Sequence, residues 1–105
     1  MADHPIVYEH GLETPVMAYG KEESILKFRK PTGLDLMNIG NPVIIDQRTS
    51  NITFDEPKMA RMMSQLANVP LSTITSLDPQ DWTGIAWSLA PFFLPRPGTT
   101  SSTPA

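Results

Sequence analysis

Residues 55–93 read DEPKMARMMSQLANVPLSTITSLDPQDWTGIAWSLAPFF, and this stretch decides the fold. Met59, Met62, Met63 and Leu66 fall at i, i+3, i+4 and i+7, which sets four apolar side chains on one face of a helix. Trp82, Ile85, Ala86, Leu89 and Phe93 repeat the pattern further on. Both helices carry start signals. Asp55 suits an N-cap, because its carboxylate can accept the orphan amide hydrogens of the first turn. Phe54 and Met59 then stand at the two ends of a hydrophobic staple. Asp78 caps the second helix, with Pro79 at the first helical position, Asp81 in the first turn, and Leu77 and Trp82 as the staple. These signals predict helices over 56–68 and 79–90. The second should stop or kink near Ala90, since Pro91 disfavours helical geometry in the residue before it. Between them Leu71, Ile74 and Leu77 lie three apart and predict a short helical turn over Pro70–Ser76.

Upstream, the chain reads as extended. Ile6-Val7-Tyr8 is a candidate short strand that Glu9-His10-Gly11 interrupts. Pro15–Tyr19 and Ser24–Arg29 flank Gly20-Lys21-Glu22-Glu23 and predict a β-hairpin with a Gly-containing turn. In its second arm Leu26 and Phe28 alternate with Lys27 and Arg29, so one face is apolar and the other wet. A lone hairpin is marginal in water, and the downstream helices are what can cover it. Thr32 and Asp35 have the spacing of a capping box, which starts a short helix with Leu36 and Ile39 facing inward. Gly40 suits its C-terminal end and Asn41-Pro42 closes it. Val43-Ile44-Ile45 is a candidate short extended segment, and Gln47–Thr53 is polar and reads as a loop. The fold class expected is therefore α+β: an N-terminal β-hairpin or small antiparallel sheet packed by three or four helices. Residues 1–94 would form one domain. Residues 95–105, rich in Pro, Ser and Thr with no large apolar side chain, would form a disordered tail.

The bulk properties narrow the function. A chain of 105 residues suits one core and buries roughly 65% of its unfolded surface, enough to fold without staples. No cysteine is present, which excludes disulfides and thiol catalysis and fits a reducing compartment. A net charge of −3 argues against a nucleic-acid binder, which normally carries a basic patch. No run approaches the ~20 apolar residues of a membrane span, and Met1-Ala2-Asp3-His4-Pro5 lacks the order of a signal peptide. A cytoplasmic protein is expected.

No catalytic constellation stands out. His4 and His10 lack a second pair of ligands, so no metal or cofactor is expected. Asp78 and Asp81 are accounted for by their helix start. There is no Gly-rich phosphate loop and no nucleophile elbow. Lys27, Arg29 and Lys30 read as a solvated strand face. Met59, Met62 and Met63 read first as core. The competing reading is a partner-binding face, because methionine side chains repack around varied apolar surfaces. Trp87 lies about 140° round the helix from Trp82, off the core stripe, with Ala90 and Leu94 extending its side. Trp87, Ala90 and Leu94, with the three methionines, are the candidate partner-binding residues.

Four motifs in order carry a resemblance. They are His4-Pro5-Ile6; Leu26-Lys27-Phe28-Arg29-Lys30-Pro31-Thr32 with Asp35-Leu36; Gly40-Asn41-Pro42-Val43; and Leu77–Trp82 running on to Ala90-Pro91-Phe92-Phe93-Leu94. With them the chain resembles the tail assembly chaperones of long-tailed bacteriophages, in the Mu-like contractile-tail branch (the tail protein E or 41 type). The resemblance implies a non-enzymatic protein of the host bacterial cytoplasm. Its partner would be the phage tape-measure protein, kept soluble until the tail tube polymerises, and it would be absent from the mature virion. A frameshift-extended form of the chain and the tail tube protein are further candidate partners, and an oligomer is compatible with all of this. Two other classes compete: a structural or adaptor component of the tail retained in the virion, and a small helical DNA-binding regulator, which the acidic balance disfavours.

Overall fold

Tyr19 and Gly20 both take positive φ (53° and 78°), the backbone that a two-residue hairpin turn needs to match the twist of its strands. The computed structural model, which describes residues 5–95, builds its largest hairpin on that turn. Strand β1 (Ile6–Ala18) pairs antiparallel with β2 (Lys21–Arg29). Helix α1 (Gly33–Ile39) follows, then a second antiparallel hairpin of β3 (Val43–Asp46) and β4 (Asn51–Phe54). Helices α2 (Glu56–Ala67), α3 (Leu71–Thr75) and α4 (Pro79–Leu89) complete the order, with a 3₁₀ turn over Ala90–Phe93. The class is α+β, as the sequence predicts.

The helix signals act as read. The Asp55 carboxylate accepts from the Lys58 amide and that of Asp78 from the Gln80 amide. Thr32 and Asp35 form the reciprocal capping box, and Gly40 closes α1 with φ +99°. Helix α2 is capped by Asn68 in the left-handed region, and α4 ends at Leu89, two residues before Pro91. Met59, Met62, Met63 and Leu66 on α2 and Ile85, Ala86 and Leu89 on α4 are all buried, and Phe93 follows them inward. They meet Leu26 and Phe28 from the inner face of the hairpin and Val16 from β1. Helix α2 lies against β2 and α4 against β1, so the two helices cover the apolar face that a free hairpin would leave wet.

Five sequence expectations are corrected. The first turn is Tyr19-Gly20, and Lys21 to Glu23 already belong to β2. His10 and Gly11 do not interrupt β1. They pair with Leu26 and Ile25. The two irregularities fall between Ile6 and Tyr8 and between Gly11 and Val16, and at the second a side chain from α4 takes over the amides. Leu36 is exposed. Helix α1 is two turns long and buries Asp35 instead, so Leu34, Leu36 and Met37 face outward. The polar run 47–53 is half strand: Ile52 and Phe54 alternate with Asn51 and Thr53, and Ser50 (φ +62°) closes a tight turn back onto Asp46. Trp82 is only partly buried, resting on the edge of the core. The expected flexible tail, Pro95 apart, lies outside the described residues, as does His4.

Candidate partner-binding surface

Register dictates the chemistry of the second hairpin. Val43 pairs with Phe54 and Ile45 with Ile52, so these four side chains share one face, while Ile44 and Thr53 share the other. Val43 is buried at the base, Phe54 and Ile52 are half-buried, and Ile45 is exposed. The backbone amide of Asp55 donates to the Pro42 carbonyl at 2.9 Å and fixes the base of the hairpin to the start of α2.

Trp87 extends this face onto α4. Its ring meets Phe54 edge-on, with centroids 4.9 Å apart and planes at 72°, a favoured aromatic geometry. It nevertheless stays 50% exposed. Ile45, Ile52, Phe54 and Trp87 therefore form an apolar ridge that runs from a projecting hairpin to a helix. Phe54 covers part of the Trp87 ring.

The other residues singled out from sequence sit differently. Met59, Met62 and Met63 are fully buried in the core, so packing accounts for them and they offer no face to a partner. Ala90 is buried too, one helical turn on from buried Ala86 and bonded to its carbonyl, and Leu94 packs against the core. Of the six candidates, Trp87 alone keeps a large accessible surface.

What fixes α4 under Trp87 is a polar tie that the sequence reading missed. Asp81, 2% exposed, accepts the Glu13 amide at 3.0 and 2.9 Å and the Thr14 amide at 3.3 Å, and its Oδ1 lies 3.2 Å from His10 Nε2. Burial alone would push this carboxyl up. The Glu13 amide, His10 and the Thr14 amide outweigh it and hold the carboxyl below its ordinary range. An ionised carboxylate can only accept, so His10 Nε2 carries the hydrogen, and in the neutral ring Nδ1 is left to accept from the Tyr8 hydroxyl. Asp81 does occupy the helix start expected of it, but its side chain turns away from its own backbone to β1. The sole signal was an acid at the third helical position facing a strand with a His and a Thr-Pro step, too generic to single out.

A second tie joins β2 to α1. Arg29 Nη1 and Nη2 donate to the two oxygens of Asp35 at 2.9 and 3.0 Å, and the Thr32 amide adds a third bond at 2.8 Å. The Arg29 fork holds the Asp35 carboxyl at about 2 against the opposing effect of burial, and Asp35 in turn raises Arg29. Arg29 is thus a clamp and not part of a wet basic face. Both ties use ionisable groups to hold elements in position. Among the described residues no three His, Asp or Glu side chains gather as a metal site would require.

Residues 9–94 match a protein-family model described as "Phage tail assembly chaperone proteins, E, or 41 or 14". The match spans both hairpins apart from the first three residues of β1, all four helices, and three of the four motifs quoted above, the motif left out being His4-Pro5-Ile6. No curated protein and no solved structure matches the chain.

Proposed function

The chain belongs to the phage tail assembly chaperone family, and from that premise we propose that it binds the tape-measure protein through the Trp87 ridge and keeps it soluble while the tail tube assembles. The work is done in the host cytoplasm, and the chain leaves before the virion is complete. Such a role calls for no catalysis. The observation that carries the reading is Trp87: a large aromatic left half in water, braced by Phe54, at the head of an apolar strip. Covering it would contribute roughly 1.5–3 kcal/mol, and tryptophans in such settings are common interface hot spots. Ile45 and Ile52 supply the flanking apolar contacts that keep water from a bound helix. A frameshift-extended form of the chain would carry the same ridge.

The test is co-expression of Trp87→Ala with the tape-measure protein. The variant should keep its thermal midpoint within a few degrees while soluble tape-measure protein no longer co-purifies. Undiminished capture by a folded variant places the binding surface elsewhere. Mass spectrometry of purified virions checks departure: the chain should be missing, and a stoichiometric amount there would make it an adaptor of the tail.

A further inference from the structure

A two-stranded sheet has two free edges, each a row of amides and carbonyls that can pair with another chain. The edges of the first hairpin are treated differently. That of β1 is closed from within over its second half, Glu13 to Met17: Asp81 takes the Glu13 and Thr14 amides, and the Thr73 hydroxyl donates to the Met17 carbonyl at 2.7 Å. Along β2, among the described residues, no hydrogen bond from outside the hairpin reaches the backbone of Lys21 to Phe28. A cleft of about 320 Å³ borders this strand, lined by Glu23, Ile25, Leu26 and Lys27 and by Ala67 and Val69 at and just past the end of α2.

The charges along β2 identify what fits there. With Leu26 and Phe28 buried on the inner face, Glu23, Ile25 and Lys27 share the outer one. Their order is acid, apolar, base, centred on Ile25, which is exposed. That order is complementary to itself when reversed. An antiparallel second copy with Ile25 opposite Ile25 sets each Glu23 opposite the other copy's Lys27, two opposite-charge pairs flanking one apolar pair, and at the ends sets Lys21 opposite Arg29, whose charge Asp35 already meets. We propose that two copies of this chain associate through the free edge of β2, joining their hairpins into one four-stranded antiparallel sheet about a two-fold axis. Lys27 already faces Glu9 within its own hairpin, so the dimer would extend an existing charge ladder across the seam.

The chain has no cysteine, which makes a cross-linking test clean. Opposed residues of an antiparallel pair lie about 4.5–5.5 Å apart at Cα, within disulfide reach. Ile25→Cys should oxidise to a covalent dimer, whereas Met17→Cys, on the closed strand, should not. Charge reversal gives the second arm, read by sedimentation equilibrium of the full chain. Glu23→Lys and Lys27→Glu should each weaken the dimer by roughly tenfold or more, since each places two like-charge pairs in the seam. Mixed one to one, the two variants should associate again as a heterodimer, because every reversed charge then meets its opposite. Their thermal midpoints confirm that each is folded. A wild-type chain that stays monomeric at every concentration, a dimer indifferent to both reversals, or equal cross-linking through Met17 would each overturn the proposal.

Discussion

At Asp81 three donors converge on one buried carboxylate, and removing it strands them. Asp81→Ala leaves the Glu13 and Thr14 amides without a partner at the edge of the core, a cost of roughly 1–3 kcal/mol. The expected outcome is a lower urea midpoint together with faster hydrogen exchange at those two amides; a midpoint drop without the local change would point to a general loss of packing. Gly84 gives a finer test of the same cluster. Glycine inside a helix costs about 1 kcal/mol relative to alanine, so Gly84→Ala should ordinarily stabilise. Here a Cβ would sit 3.1 Å from His10 Cε1, and His10 is held at both ring nitrogens by Tyr8 and Asp81. Gly84→Ala should therefore fail to stabilise the native chain and should stabilise a His10→Ala background by about 1 kcal/mol, a sign change that a double-mutant cycle in urea would read. The sequence showed Asp81 as a helix-start acid but not its tie to β1. The tie crosses 68 positions of chain between Glu13 and Asp81, and local spacing carries no record of such a pairing.

Elements whose cause is local were legible: the caps of α1, α2 and α4, the period of the methionine face and the alternation in β2 each depend on residues within a turn or two. Elements defined by pairing were not. Hairpin β3–β4 reads as a polar loop because four of the seven residues from Gln47 to Thr53 serve its turn, and the two apolar side chains of β4 are too few to show a period. The surface half of the candidate site was legible through the wheel position of Trp87, while the contribution of Phe54 and Ile52 was not, since it depends on that unseen hairpin. The second hairpin carries its own prediction. Tied mainly through its base and exposing Ile44 and Ile45, it should open locally more often than β1–β2. Amides within β3–β4 should exchange faster than those of β2 under native conditions. Equal protection in the two hairpins would show that they open as one unit.

Across the whole molecule the two carboxylate ties set the response to acid. Asp35 is held at about 2, below its ordinary value of roughly 3.9. A lowered carboxyl contributes stability that is fully present above the unfolded value and is lost as pH falls through the folded one. Stability should thus be level from neutral pH to about 5 and then fall between about pH 4 and 2, with Asp35 giving on the order of 2 kcal/mol of the loss and Asp81 shifting in the same direction. Urea midpoints against pH would trace this, and Asp35→Asn should flatten the slope; an unchanged slope would show that Asp35 is not held low in the fold. The Asp81 tie also bears on the order in which the chain can fold as it is made. Hairpin β1–β2 is complete in sequence by Arg29, whereas the carboxylate that closes its edge and the helix that covers β1 come from residues 79–89. At a usual synthesis rate of ~5–20 residues per second, the hairpin waits several seconds or longer with its apolar face and edge amides open. A nascent copy of this chain therefore passes through an exposed, association-prone state of its own before α4 is made.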